Sequence, residues 1–245
     1  MRVEIFVQVR MSSTRLPGKV LLPVLGKPLL AYQIERLRQV KEADEIVILT
    51  TTNKADDQIV TFCEAQNVLF FRGDEEDVLA RYYHAALERR PDAIVRITSD
   101  CPLIDPEIVD QVIRAFRYAK PPVDYISNTL QLTFPRGLDV EIFSFKALQE
   151  AFLKAREAYE REHVTVYLYR HPKQFKLQNI SSPIPLAHHR WTVDTLEDFQ
   201  LIKLILEALY QTQPYFRLQE VIALLQKHPE WGQINAHIQQ KKMPL

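Results

Sequence analysis

Arg10, Arg15 and Lys19 fall in one short run, Arg10-Met11-Ser12-Ser13-Thr14-Arg15-Leu16-Pro17-Gly18-Lys19. Guanidinium groups fork onto phosphate oxygens, and a lysine adds a compact point charge. Ser12, Ser13 and Thr14 supply hydroxyls, and Gly18 lets the backbone approach closely. The set suits a polyphosphate. It matches neither standard phosphate motif, G-x-x-x-x-G-K-[ST] or G-x-G-x-x-G. On composition alone, a short basic cluster is a solvated surface loop. This one follows an apolar run, residues 3–9, with the pattern of a first strand. Open α/β sheets place ligands at the carboxyl ends of their strands, so the loop is expected to hold phosphate.

Two aspartates stand at comparable places. Asp100 follows the apolar run 93–98, which would put its carboxylate in the same crevice as the first loop. Magnesium takes one or two carboxylates plus phosphate oxygens, and a carboxylate opposite a basic phosphate loop calls for a cation between them. Local sequence alone makes Asp100 a turn residue before Pro102 and Asp105 a helix cap. Asp194 follows the run 190–193. Thr195 and Asp198 form a capping box, which leaves Asp194 without a structural task. Arg136, within Phe134-Pro135-Arg136-Gly137, is suited to grip a carboxylate through a bidentate pair. Asp139 and Glu141 lie two apart and share a face if that stretch is a strand. His163, taken alone, is an ordinary helical histidine. Thr51 and Asn53 close one strand and are suited to bond a pyrimidine edge, Arg72 closes another, and Arg81 further on is suited to contact the nucleotide or the sugar; each has an alternative as a cap or salt-bridge partner. His188 and His189 lack the further ligands of a zinc site, and no G-x-S-x-G nucleophile elbow occurs.

The stretch Val9 to Lys19, followed by Gly26-Lys27-Pro28-Leu29, resembles the opening signature of the sugar-activating cytidylyltransferases. These include the acylneuraminate and 3-deoxy-manno-octulosonate enzymes, and the spore-coat-polysaccharide branch is the most similar. Ser99-Asp100-Cys101-Pro102-Leu103 is similar to that family's Asp-x-Pro-Leu motif. Val193-Asp194-Thr195-Leu196-Glu197-Asp198 is similar to its Val-Asp-Thr-x-Glu-Asp motif. The resemblance spans almost the whole chain. It implies a Rossmann-like nucleotide-diphospho-sugar transferase fold, with CTP and an acidic sugar, nonulosonic acids among them, as substrates. The products would be a CMP-sugar and pyrophosphate, for surface polysaccharide or glycan synthesis. By that likeness the first loop wraps the triphosphate through Arg10, Ser12, Ser13, Arg15 and Lys19. Asp100 and Asp194 hold one or two Mg²⁺ ions, and Arg10, Lys19, Asp100 and Asp194 are catalytic. Thr51, Asn53 and Arg72 contact the nucleotide, and Arg136, Asp139, Glu141 and His163 the sugar. For Asp139 and Glu141, sugar hydroxyls, support of Arg136 and a dimer contact stay open together. A homodimer is implied too, because related enzymes dimerise through an insertion; residues 130–181 are the candidate lobe or arm. The rival expectations are a glycosyltransferase of the same fold, a transferase using UTP or GTP, and a nucleotide-binding module without turnover. No D-x-D metal motif supports the first, and the presence of both aspartates argues against the last.

The elements needed to position these groups alternate. Strands are expected at 45–52, 68–71 and 93–98, and helices at 29–40, 55–66, 75–89 and 106–119. Asn53 would cap the helix at 55–66, and acidic residues would open the helix at 75–89. That rhythm predicts an α/β fold, mostly a parallel sheet with helices on both faces. Beyond residue 120 it changes to short strands at 124–127, 140–143, 175–180 and 190–193. Helices follow at 146–157, 162–170, 196–210 and 218–227, with a tail from 229 expected to fray. The 245 residues make one large domain or a domain with an appendage. Its 31 basic and 31 acidic residues balance, which excludes a protein built to coat nucleic acid or anionic membrane. Cys63 and Cys101 are the only cysteines and give no disulfide scaffold. No apolar run reaches membrane-spanning length and no signal peptide is visible, so the expected location is cytoplasmic.

Overall fold

The first strand, β1 (Val3–Gln8), alternates in its burial partners as a period-two element must. Val3, Ile5 and Val7 pack into one apolar cluster, and Phe6 packs into a second on the other face. A computed structural model describes residues 1–240. After β1 come a hairpin, β2 (Pro23–Val24) and β3 (Lys27–Pro28), then α1 (Leu29–Leu37), β4 (Glu45–Thr51), α2 (Asp57–Ala65) and β5 (Leu69–Gly73). The chain continues through α3 (Val78–Arg89), β6 (Ala93–Thr98), α4 (Pro106–Tyr118), β7 (Tyr125–Ser127) and β8 (Glu141–Ser144). It ends with α5 (Phe145–Lys154), α6 (Ala158–Glu162), α7 (Val166–Arg170), β9 (Leu177–Asn179), α8 (Leu196–Leu209) and α9 (Leu218–Lys227).

Seven strands form one sheet in the order β5-β4-β1-β6-β8-β7-β9. β8 alone runs against its neighbours β6 and β7; the other pairings are parallel. The order turns at β1, with β4 and β5 on one side and β6 on the other. The carboxyl ends of β1 and β6 therefore open at a topological switch point. Helices cover both faces. Leu30, Ile34, Val109 and Ile202 meet one side of the sheet, while Leu79, Tyr82, Leu148 and Leu168 meet the other. Each such fully buried aliphatic side chain contributes on the order of 1.5–3 kcal/mol.

Caps fix where helices start. Asp105 accepts from the Glu107 N–H at 2.9 Å ahead of Pro106, as expected. Thr195 and Asp198 form the expected capping box. Asp77 caps α3 through the Ala80 N–H at 2.9 Å, so Glu75 and Glu76 precede that helix rather than fill its first turn. Asn53 does not cap the next helix with its side chain; its amide donates to Glu75 instead. The expected helix over 162–170 is two helices, α6 and α7, broken where Val164 takes φ +58. Residues 190–193 form no strand, because their only sheet-like pairing is a single bridge between Arg190 and Arg136. Residues 130–181 contribute β8 and β9 to the main sheet and α5 to α7 to one face. The tail does not fray through Gln240: Trp231–Gln233 forms a helical turn and Asn235 is buried. Residues 241–245 of that tail lie outside the described residues.

Candidate active site

The loop after β1 is pinned at both ends. The Met11 N–H donates to Asp56 at 2.7 Å, and the Gly18 N–H returns to the Met11 carbonyl at 3.0 Å. Gly18 sits at φ +69, a conformation that suits glycine, and directs Lys19 inward. At the neighbouring strand end, the Ser99 N–H donates to the Gln8 carbonyl at 3.2 Å, tying β6 to β1. The Val193 N–H donates to the Asp100 carbonyl at 2.8 Å. That bond hangs the 191–194 segment beside Asp100, across ninety residues of sequence.

The three segments meet at Lys19. Its Nζ donates to Asp194 Oδ1 at 2.8 Å and to the Val193 carbonyl at 2.6 Å, and lies 3.7 Å from Asp100 Oδ2. Arg15 reaches the other Asp194 oxygen at 2.8 Å, as does Arg190 at 2.9 Å. Burial pushes the Asp194 carboxyl upward, but Lys19, Arg15 and Arg190 outweigh it and hold Asp194 below the usual carboxylate range. Arg190 in turn forks onto Asp198 at 2.9 and 3.0 Å. Asp198 also accepts from the backbone N–H groups of Asp194 and Thr195. A buried, fully partnered network thus orients Asp194.

Arg10, Ser13, Thr14, Arg15 and Lys19 line a cavity of about 280 Å³ with Asp100, His163 and Asp194. Arg81, Thr98 and Glu162 are also part of its wall. A second cavity of about 350 Å³ is lined by Arg136, Asp139, Glu141 and His163, and shares Thr98 and His163 with the first. The other expected contacts stand apart from the first cavity. Ser12 donates to Glu75, which also takes Asn53 and sits 3.6 Å from Arg10. Thr51 is fully buried and donates to Asp56. Arg72 holds the Thr51 and Asn53 carbonyls at 2.7 and 2.9 Å and pairs with Asp57.

Glu141 is committed to structure: Arg96, Tyr125 and Thr165 all donate to it. Asp139 makes no such pairing. Burial, with Asp100 and Glu141 nearby, raises its carboxyl to about 6 although Arg136 opposes this. Arg136 is held by its backbone, which bonds His189 at 3.1 Å and Trp191 at 2.7 Å. Cys101 is buried, and that burial beside Asp100 lifts its thiol well above the ordinary value, leaving it unreactive. The sequence pointed to Lys19, Asp100 and Asp194 but not to Arg190 as their support, nor to Asp56 and Glu75 as the partners that pin the first loop. No spacing rule links those pairs, since the fold alone brings them together.

Among the described residues, no cluster of three or more His, Cys, Asp or Glu forms a self-sufficient metal site. Asp100 and Asp194 nevertheless face one cation, the Lys19 ammonium. Two carboxylates in that position fit a divalent ion completed by phosphate oxygens, the donor set magnesium accepts. The arrangement can bind a polyphosphate along the cationic loop and place a second substrate beside it. Among the described residues, no helix is long and apolar enough to cross a membrane.

Comparison with known proteins agrees with this geometry. A family model described as cytidylyltransferase matches residues 5–243. The spore coat polysaccharide biosynthesis protein SpsF of Bacillus subtilis is 36% identical over 234 residues, covering 91% of this chain and 94% of that protein. A solved cytidylyltransferase structure from Leptospira borgpetersenii matches with a TM-score of 0.91 at 34% identity, covering 99% of this chain and all of that one. A structure of CMP:2-keto-3-deoxy-manno-octonic acid synthetase complexed with CTP shares the fold, with a TM-score of 0.64 at 18% identity over 85% of this chain and 100% of that one. With a family model spanning nearly its whole length and a relative 36% identical over most of both chains, the chain belongs to the cytidylyltransferase family.

Proposed function

We propose that this protein transfers the cytidylyl group of CTP to an acidic sugar, nonulosonic acids being one candidate class, and releases pyrophosphate. The carrying observation is the junction of two cavities: one holds the Arg15–Lys19–Asp194–Asp100 cluster, the other holds Arg136, and Thr98 and His163 line both. The name of the SpsF relative supports polysaccharide synthesis, and the CTP bound in the octonic acid synthetase structure supports the donor.

In this mechanism the anomeric hydroxyl oxygen of the sugar attacks the α-phosphorus. The bond to the β-phosphate breaks, the hydroxyl proton is lost, and CMP-sugar and pyrophosphate form. Positioning and charge neutralisation supply most of the rate. Arg10, Arg15 and Lys19 hold the triphosphate, and Lys19 exchanges its contact with Asp194 for a phosphate oxygen. Ser12 and Ser13 add hydroxyls, which for Ser12 requires release from Glu75. Asp100 and Asp194 would hold Mg²⁺, which when bound neutralises charge on the phosphate oxygens. Arg136 grips the acceptor carboxylate, with His163 and Asp139 facing its hydroxyls. Thr51, Asn53 and Arg72 shape the nucleoside side through the strand ends they fix. The enzyme works in the cytoplasm as a homodimer in which residues 130–181, integrated into the main sheet and not projecting from it, supply the contact between protomers.

A thermal shift with Mg²⁺ and each of CTP, UTP, GTP, ATP and dTTP tests the donor. A ligand at a hundred times its dissociation constant stabilises the folded state by about 2.7 kcal/mol. CTP alone should raise Tm, and pyrophosphate release across a panel of acidic sugars should then find the acceptor. A shift with a different nucleotide, or with none, rejects the cytidylyl assignment.

A further inference from the structure

Arg81 is a buried cation left without a counter-charge. Only 2% of it is exposed, yet it lines the first cavity. Among the described residues its guanidinium makes one hydrogen bond, to a neutral acceptor, the Asp74 carbonyl, at 2.9 Å. Its Nε is buried without a partner. Among the described residues, no carboxylate comes within ion-pair distance of it; Asp56 and Asp74 act on it only from farther away. Arg10 lies close enough to repel it, and burial together with that repulsion lowers its hold on its proton. Arg190 and Arg96, by contrast, have counter-charges in Asp198 and Glu141. Arg36, also buried without an ion pair among the described residues, is held by the Ile104 and Phe216 carbonyls and the Phe216 ring and lines no cavity with the phosphate loop. A buried charge left unpaired is costly to the fold, so Arg81 is a candidate for work that the fold does not need.

We propose that Arg81 is a binding residue for an oxyanion of the nucleotide, closing on the triphosphate from the side opposite Lys19. The proposal rests on the nucleotidyltransferase reading and extends it to a residue outside the motif loop. Position in the sheet selects the nucleotide over the acceptor as the source of the anion. Arg81 packs against Gly73 at the end of β5, on the β4–β5 side of β1. The second cavity, with Arg136, lies on the β8 side of β6. Gly73 itself makes room: a Cβ there would come within 3.0 Å of the Arg81 side chain. Arg10 near Arg81 has Glu75 at 3.6 Å, and Lys19 and Arg15 are balanced by Asp194, which leaves Arg81 as the cation of this cavity wall without a carboxylate among the described residues.

The test uses the full chain, with Mg²⁺–tripolyphosphate and cytidine as separate probes and Arg81→Met and Arg81→Lys as variants. Arg81→Met should keep or raise the Tm of the unliganded protein, because it removes an unpaired buried charge. It should weaken tripolyphosphate binding by roughly 10- to 100-fold, the worth of a charged hydrogen bond, and leave cytidine binding unchanged. Arg81→Lys, which keeps the charge but not the fork, should fall between the two, and it carries the test if the methionine variant folds poorly. In turnover assays, KM for CTP should rise while KM for the acceptor holds. Wild-type tripolyphosphate affinity in both variants overturns the proposal. A raised KM for the acceptor with tripolyphosphate binding intact also overturns it, by assigning the anion to the acceptor carboxylate. A wild-type protein that binds neither CTP nor tripolyphosphate rejects the nucleotidyltransferase reading itself, before any variant is compared.

Discussion

Asp194 takes three cations at once, Arg15, Lys19 and Arg190, whereas Asp100 faces Lys19 alone and at 3.7 Å. The two aspartates therefore differ in what their loss would do. Asp194 is tied into the fold through Arg190 and Asp198, so its substitution mixes stability with chemistry. Asp100 is only partly buried, and its backbone, not its carboxylate, holds the Val193 segment. Asp100→Asn keeps the shape but removes the charge and exchanges one acceptor oxygen for an amide donor. It should leave the unfolding free energy within about 0.5 kcal/mol of wild type and cut turnover by about 100-fold or more. Urea titration and pyrophosphate release check the two halves separately, and normal turnover in the variant removes Asp100 from the reaction. In the sequence Asp194 stands out as a carboxylate without a structural task, whereas Asp100 reads locally as a turn residue and is singled out by its resemblance to the family's Asp-x-Pro-Leu motif. Their shared cation is not legible there, because Lys19 reaches them only once β1 and β6 are neighbours.

Elements came through where local chemistry sufficed. Strand and helix alternation up to residue 119, the Asp105 cap and the Thr195–Asp198 box all follow from nearest-neighbour preferences, and the structure repeats them. What escaped was set by a local turn in one place and by a distant partner in another. Glu75 and Glu76 are pulled out of α3 because Asp74 accepts from the Glu76 and Asp77 N–H groups. The 190–193 run has strand-like side chains, but it pairs with the 136 loop instead of a strand. That loop-to-loop pairing has one demanding point. Gly137 takes φ +98, and a Cβ there would meet the Trp191 backbone at 2.6 Å. Both a strained dihedral and a rigid clash would follow from Gly137→Ala, with a cost on the order of 2–4 kcal/mol. Since Arg136 is its neighbour, the variant should also weaken acceptor binding more than nucleotide binding. Differential scanning calorimetry with separate KM measurements would show this; wild-type stability would mean the two loops separate easily and do not fix Arg136.

At the scale of the molecule, the chain's last described stretch returns to support its first loop. Asn235 is 2% exposed and its amide donates to the Arg190 carbonyl at 2.9 Å and to Asp198 Oδ1 at 2.8 Å. Gln240 accepts from the Arg190 guanidinium at 2.6 Å. The line of contacts runs from Asn235 through Arg190 to Asp194, and from Asp194 to Arg15 and Lys19. Nothing in the polar composition of this tail signalled that role, since its contacts are single hydrogen bonds and not an apolar stripe. Asn235→Ala removes both bonds and leaves the Arg190 carbonyl short of a buried donor. Losing such partners costs on the order of 1–3 kcal/mol, while β1, β4 and β6 keep all their contacts. The variant should therefore unfold cooperatively at a lower urea midpoint with an unchanged slope. Its Arg190 is freer to move, so Asp194 loses part of its alignment, and the Tm increase that the proposed function expects with Mg²⁺ and CTP should shrink by more than the loss of stability alone accounts for. Equal CTP responses in the two proteins would show that the tail stabilises the fold without reaching the nucleotide site.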